Sequence, residues 1–333
     1  MSFSFLEVRT RLGAAAVAAT LLPAFSACSG GGPAVPVTPP AARLVRPDAN
    51  ARPAGWDQFS YQTINDPQDP TTEVLGVNNL GKIVGYYGSG NHTTGFDATP
   101  PYEAQNFRNE DYPGGTQTEI TSVSNAKSIA GWYRDKHGFI FGCILWQGIW
   151  TSYKDSHLRG SPTQLTKLYG LNDDGLAVGF YQDDHKVDHA FELDETQSRF
   201  HSIFPPGAKN AVATGISGKG DIVGYMTNAD GDTIGWLLKG GHYTTFHHPN
   251  SDYTLPWAVN WQDDIVGEYK DQQGKTHGFI LTQPLGSQTW QQIDEPNARG
   301  ATSVHSVNDH HTMVGFYTDA SHHIDGFLAT PKK

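Results

Sequence analysis

The sequence predicts an all-β chain built as a six-bladed β-propeller of four-stranded blades, its ring closed by an N-terminal strand that completes the last blade. Three observations carry this. A ten-residue segment recurs six times, its closing glycines 43 to 48 residues apart, which is the period of propeller blades. The composition suits turns and strands, with 37 Gly, 20 Pro, 14 Tyr, 16 Phe and 8 Trp but only 3 Met in 333 residues; Gly serves tight turns and aromatic rings serve pleated surfaces. The repeat also runs out of phase with the chain, opening on a lone last strand and ending one strand short.

The chain begins with an address. Arg9 and Arg11 precede an uncharged apolar stretch at 12–25, followed by Ser26, Ala27 and Cys28. A basic start, a short apolar run and small residues before a cleavage point make a secretory signal, here 1–27. The run is too short for a spanning helix, which needs about 20 residues. Phe25-Ser-Ala-Cys28 resembles the lipobox of bacterial lipoproteins, although Phe25 stands where that pattern has Leu. The resemblance implies a diacylglycerol on the Cys28 thiol and a cell-envelope location, in the outer membrane or at the cell surface. A plain signal peptide cleaved nearby is the alternative. Residues 28–55 are rich in Gly, Pro and Ala and have little to bury, so they read as a solvated tether. Residues 56–333 are the propeller. With Cys28 lipidated, Cys143 is left without a disulfide partner; its apolar neighbours Phe141, Ile144 and Leu145 point to a buried, inert thiol rather than a reactive one.

The six segments are 76–85 (GVNNLGKIVG), 122–131, 170–179, 215–224, 258–267 and 306–315. In each, a small residue and a β-branched or Leu residue end a first strand at Asn or Ser. A tight turn and a second strand follow, the latter crossing a glycine present in all six copies. That glycine admits a close neighbouring backbone or a bulge. A polar turn then leads to a third strand opening on a small residue and an aromatic, at Gly95-Phe96, Gly138-Phe139, Ala190-Phe191, Gly235-Trp236, Gly278-Phe279 and Gly326-Phe327. Fourth strands carry aromatics, as at 200–203, 243–246 and 290–293. The segment 59–67 reads as a fourth strand with no first three before it, and 326–330 as a third strand with no fourth after it. Pairing them closes the ring and leaves no open sheet edge.

His137-Gly-Phe139, His189-Ala-Phe191 and His277-Gly-Phe279, with the preceding Val-Gly-x-Tyr pattern, resemble the HAF-family probable extracellular repeats of bacteria over about 56–330. The resemblance implies an exported β-rich repeat protein and no particular activity. Thr94, Ile234 and Asp325 occupy the His position in other copies, so a histidine is not required in every blade.

The net charge of −11 argues against nucleic acid, whose binders present a basic face. No GxSxG, HExxH, Walker or GxGxxG motif is present. Propeller ligands are expected where fourth-to-first and second-to-third connections meet around the axis. His137, His189 and His277 are candidates there, for a ligand or a metal, or else for hydrogen bonds within their own blades. Tyr253 and Trp257, with Tyr112 and Tyr153, are aromatics of fourth-to-first connections suited to sugar rings or a protein partner. Asp135, Asp183, Asp271 and Asp319 recur four residues after the closing glycine and read as turn caps. Asn228, Asp230 and Asp232 place oxygens at alternate positions around Gly231, like the start of a calcium loop, without its later Glu. No other cofactor is implied. The adjacent pairs His247-His248, His310-His311 and His322-His323 read as turn or surface residues, since neighbours on a strand face opposite ways. Two functions fit: a surface-tethered module binding a glycan, peptide or envelope protein, or a secreted polysaccharide lyase or hydrolase with a His/Tyr site at the channel mouth.

Overall fold

The computed structural model describes residues 59–332, apart from 67, 68, 70, 91, 159–164, 250 and 283; the signal, Cys28 and the tether lie outside the described residues. The predicted ring is present. Each of six sheets has four antiparallel strands in sequence order, and the sixth recruits the N-terminal strand. Blade 1 holds β2 (Thr72–Val77), β3 (Ile83–Ser89), β4 (His92–Ala98) and β5 (Phe107–Asn109). Blade 2 holds β6 (Gln117–Val123), β7 (Ile129–Arg134), β8 (Ile140–Trp146) and β9 (Ile149–Tyr153). Blade 3 holds β10 (Thr166–Leu171), β11 (Leu176–Gln182), β12 (Asp188–Asp194) and β13 (Arg199–Ile203). Blade 4 holds β14 (Asn210–Ile216), β15 (Ile222–Thr227), β16 (Thr233–Lys239) and β17 (His242–Phe246). Blade 5 holds β18 (Thr254–Val259), β19 (Ile265–Lys270), β20 (Thr276–Thr282) and β21 (Thr289–Ile293). Blade 6 holds β22 (Thr302–Val307), β23 (Met313–Thr318) and β24 (Ile324–Pro331), and β1 (Phe59–Ile64) completes it. The closing strand pairs in register from Phe59 opposite Pro331 to Ile64 opposite Gly326.

The core sits in the seams. A four-stranded blade has two apolar faces and can hide neither alone, so each packs on its neighbours. Val84 meets Ile120 and Ile129 between blades 1 and 2. Ala130 and Ile144 meet Leu168 and Leu171 between blades 2 and 3. The remaining seams follow suit, and the last joins Ile64, Val314 and Leu328 of blade 6 to Val74, Ile83 and Phe96 of blade 1. Ile64 is contributed by β1, so the N-terminal strand fills the closing seam as well as pairing the edge.

Every first strand carries a β-bulge at the same place: 74/76, 120/122, 168/170, 213/215, 256/258 and 304/306. This explains the repeated glycine of the second strand. A Cβ on Gly85, Gly131, Gly179, Gly224, Gly267 or Gly315 would lie 1.9–2.1 Å from a carbonyl oxygen of the bulged strand. No side chain fits there.

In one blade the structure corrects the sequence alignment. Opposite Gly131 stands Cys143, so Gly142-Cys143 is the third-strand pair of blade 2, and Phe141 holds the His position. Gly138 instead sits in the preceding turn at φ 85°, where blade 5 has Gly274 at φ 80°. His137 is therefore a turn residue. Cys143 is fully buried, and burial pushes its thiol far up, as an inert core cysteine requires.

Candidate functional site

A bulge inserts an extra residue and re-aims its side chain. The six bulges each deliver one residue: Leu75, Thr121, Tyr169, Thr214, Trp257 and His305. All six line one cavity of about 570 Å³ on the ring axis. It opens at the end carrying the first-to-second strand turns, opposite the end expected from the connections around the histidines. Residues 76, 122, 170, 215, 258 and 306 stay small because first strands converge near the axis. A Cβ on Gly215, for instance, would lie 2.7 Å from the Ala258 Cα.

The bulge residues divide the cavity. Blades 3, 5 and 6 contribute aromatic rings, whereas blades 1, 2 and 4 contribute Leu or Thr. Trp257 is 6% exposed and stacks on His305 at 4.4 Å, with Tyr169 edge-on at 6.1 Å. Second-strand aromatics form a floor beneath them: Phe180 under Tyr169 at 5.8 Å, Tyr225 beside Trp257 at 6.1 Å and Phe316 under His305 at 5.1 Å. Burial, with the nearby Glu119 and Asp188 carboxylates, pushes the Tyr169 phenol well above its ordinary value, so it stays a neutral hydroxyl.

The rim is a ring of side-chain-capped turns, closed by Asn in four blades and by Ser124 and Ser217 in the other two. Asn78 Oδ1 accepts the N–H groups of Leu80 and Lys82, and Asn172, Asn260 and Asn308 do the same in their blades. Their side-chain amides donate across the seams, Asn78 to the Ser124 carbonyl at 3.0 Å and Asn308 to the Asn78 carbonyl at 3.0 Å. One residue further on, a second set runs around the mouth. The Trp261 N–H donates to Asp309, Asp309 N–H to Asn79, Asn79 N–H to Asn125 and Asn125 N–H to Asp173, at 2.6–2.9 Å. The series stops at Gly218, which has no side chain to accept the next bond. There the indole of Trp261, 51% exposed, covers the glycine.

Of the residues singled out in the sequence, Trp257 lines this cavity, from within β18 rather than from a loop. The others lie elsewhere. His189 Nε2 bonds Asp183 at 2.9 Å, and His277 bonds Asp294 at 2.7 Å and Asp271 at 3.3 Å, all within their own blades. The histidines do not converge. Tyr253 is half-buried beneath Lys270 Nζ at 4.1 Å. Tyr112 stacks on Tyr133 at 3.6 Å, and Tyr153 is buried. Asp135, Asp183, Asp271 and Asp319 cap their turns by accepting N–H groups two and four residues on. Asn228 does the same for Asp230 and Asp232, and its amide nitrogen faces the Asp232 carboxylate at 3.2 Å. Its oxygen is thus engaged with the backbone, and an amide donor stands where a cation would need an acceptor. Among the described residues no group of three or more His, Cys, Asp or Glu converges for a metal.

Reasoning from sequence missed Tyr169 and His305. A signal existed: both immediately precede the aligned ten-residue segment, at a position that varies between Leu, Thr, Tyr, Trp and His while its neighbours repeat.

No family model and no curated protein matches the chain. Solved structures do. A putative TolB from Agrobacterium tumefaciens superposes with a TM-score of 0.54 at 10% identity, over 83% of this chain and 99% of that one. The SapL1 lectin in complex with alpha methyl fucoside gives 0.50 at 11% identity, over 79% and 95%. A lectin of Aleuria aurantia, described as a six-bladed β-propeller, gives 0.48 at 12% over the same shares. Such identities speak for the propeller fold alone.

Proposed function

We propose that this chain is an exported, lipid-anchored binding protein of the bacterial envelope, whose propeller takes a glycan or short peptide into its axial cavity. One observation carries the binding reading. Bulges in all six blades aim side chains into a pocket of about 570 Å³, within the range of about 300–1,000 Å³ usual for small-ligand sites. Aromatic rings on one side and hydrogen-bonding amides and carboxylates at the mouth suit sugar rings, which present an apolar face and a polar edge. SapL1, a propeller of similar fold, was solved with a fucoside, so the architecture is compatible with such a ligand. The anchor reading rests on Arg9, Arg11, the apolar run and Cys28.

A glycan array and a peptide library screened with residues 56–333, with and without EDTA, test the first part. Binding that Trp257→Ala abolishes supports the cavity, and binding that this variant leaves unchanged places the site elsewhere. Polysaccharide cleavage by the same protein would favour an enzyme instead. For the anchor, Cys28→Ser should release the full-length chain from the membrane fraction and remove the lipid mass increment.

A further inference from the structure

We infer that the axial cavity selects ligands bearing a positively charged ammonium group, and disfavours anionic ones; this rests on the cavity being the binding site. Charge is the first ground. Asp173, Asp174 and Asp309 line the cavity, and among the described residues no lysine or arginine does. None of the three carboxylates has an ion-pair partner among the described residues. Elsewhere the chain does neutralise its acids, pairing Lys82 with Asp97 at 2.6 Å and Lys239 with Asp221 at 2.9 Å and Asp263 at 2.6 Å.

The second ground is that the backbone bond across each seam does not need this charge. Asp173 and Asp309 accept a neighbouring blade's N–H at the mouth. Asn79 and Asn125 occupy the same repeat position and accept the equivalent N–H through Oδ1 at 2.9 and 2.8 Å. A neutral amide therefore suffices for the backbone bond, and two blades nevertheless carry a carboxylate, whose second oxygen also accepts the Asn125 or Asn79 side-chain amide at 2.9 or 2.7 Å. A concave, low-dielectric mouth focuses the field of its acidic groups onto an entering cation.

The third ground is the aromatic lining. An indole or phenol face attracts ammonium groups through the ring quadrupole. The chain uses this contact repeatedly: Lys167 Nζ lies 3.6 Å from the Trp132 ring, and Lys219 Nζ lies 5.2 Å from Trp261 at the rim itself. Together, acids above and rings below describe a receptor for an amine-bearing sugar or a comparable organic cation.

Titration calorimetry at about pH 6 with three matched probes tests this: chitobiose with free amines, N,N′-diacetylchitobiose and digalacturonate, with choline and spermidine as non-sugar cations. Chitobiose should bind about tenfold more tightly than its acetylated form, with digalacturonate weakest, and the preference should fade between about 50 and about 500 mM salt. The Asp173→Asn/Asp309→Asn variant keeps an acceptor oxygen at both seams. It gives up the bonds that Asn125 and Asn79 Nδ2 donate to the second carboxylate oxygens, so it should stay folded with a somewhat lower melting temperature and lose most of the preference. Equal or tighter binding of the acetylated or acidic sugar overturns the inference, and if Trp257→Ala abolishes that binding the cavity reading stands. No binding of any cationic probe, or cation binding that the double variant leaves unchanged, also overturns it.

Discussion

Gly179 shows what a single repeated residue does. Its would-be Cβ lies 1.9 Å from the Lys167 carbonyl oxygen, and that oxygen is where it is because of the bulge next to it. Gly179→Ala must push the two strands apart, so urea unfolding should show a loss of about 3 kcal/mol, or roughly 10 °C in Tm. The repeat made this glycine legible as essential; the carbonyl it accommodates was not, since a bulge belongs to a pair of strands and not to one of them. The histidines taught a similar lesson. His189 and His277 do sit on third strands, but His137-Gly-Phe139 imitates the third-strand tripeptide inside a turn where Gly138 supplies positive φ. His277 also carries a pH dependence. Burial alone would lower its pKa, but Asp294 and Asp271 outweigh burial and hold it above the ordinary value of about 6.5. A pKa raised by folding gives stability that is complete below the unfolded value and lost as pH rises through the folded one. The Tm of the parent should therefore fall relative to His277→Gln as pH rises from about 6 past neutrality. His248, which burial holds down at about 4 with help from the His277 charge, opposes this at the acid end, so the comparison is read from about pH 7 upward, where folded His248 is neutral in both proteins.

At the scale of strands and seams, the junction of blades 2 and 3 departs from the apolar rule. Glu119 of β6 and Lys167 of β10 are both buried. Burial pushes the carboxyl up and the amine down, and their mutual attraction opposes both shifts. Glu119 is further held by Gln117 at 3.1 Å, and Lys167 by the Trp132 face. Removing one buried partner strands the other, so Lys167→Met should lower stability by about 3–5 kcal/mol. Adding Glu119→Leu to it should restore much of that loss, because a packed apolar pair avoids desolvating two charges. Urea unfolding of the two singles and the double measures the coupling. Sequence alone places these residues on first strands, but it gives no sign that both are buried in one seam. The second strands were readable for the opposite reason: an apolar run such as Ile83–Tyr87 suits a strand covered on both faces. The cavity was not, because it is made where six first strands converge, and convergence leaves its mark only as small residues at 76, 122, 170, 215, 258 and 306.

For the whole ring, the phase of the repeat was the decisive clue, and it was correct: the strand with no companions pairs with the blade lacking one. Deleting 56–66 should remove the buried Phe59 and Ile64 side chains and reopen an edge, lowering Tm by about 10 °C or more and promoting association through β24. Light scattering and thermal melts read both effects. The end of the axis that is open was not foreseeable, since both ends carry polar turns of similar length. The same closure has a mechanical side. Phe59 lies at the cavity end of blade 6 and the chain runs from it along the full length of β24. A pull directed along the strand from that end would act lengthwise on β1, so its rungs must give way together rather than one after another. The strand that seals the circle is thereby also the one best oriented to resist being drawn out of it.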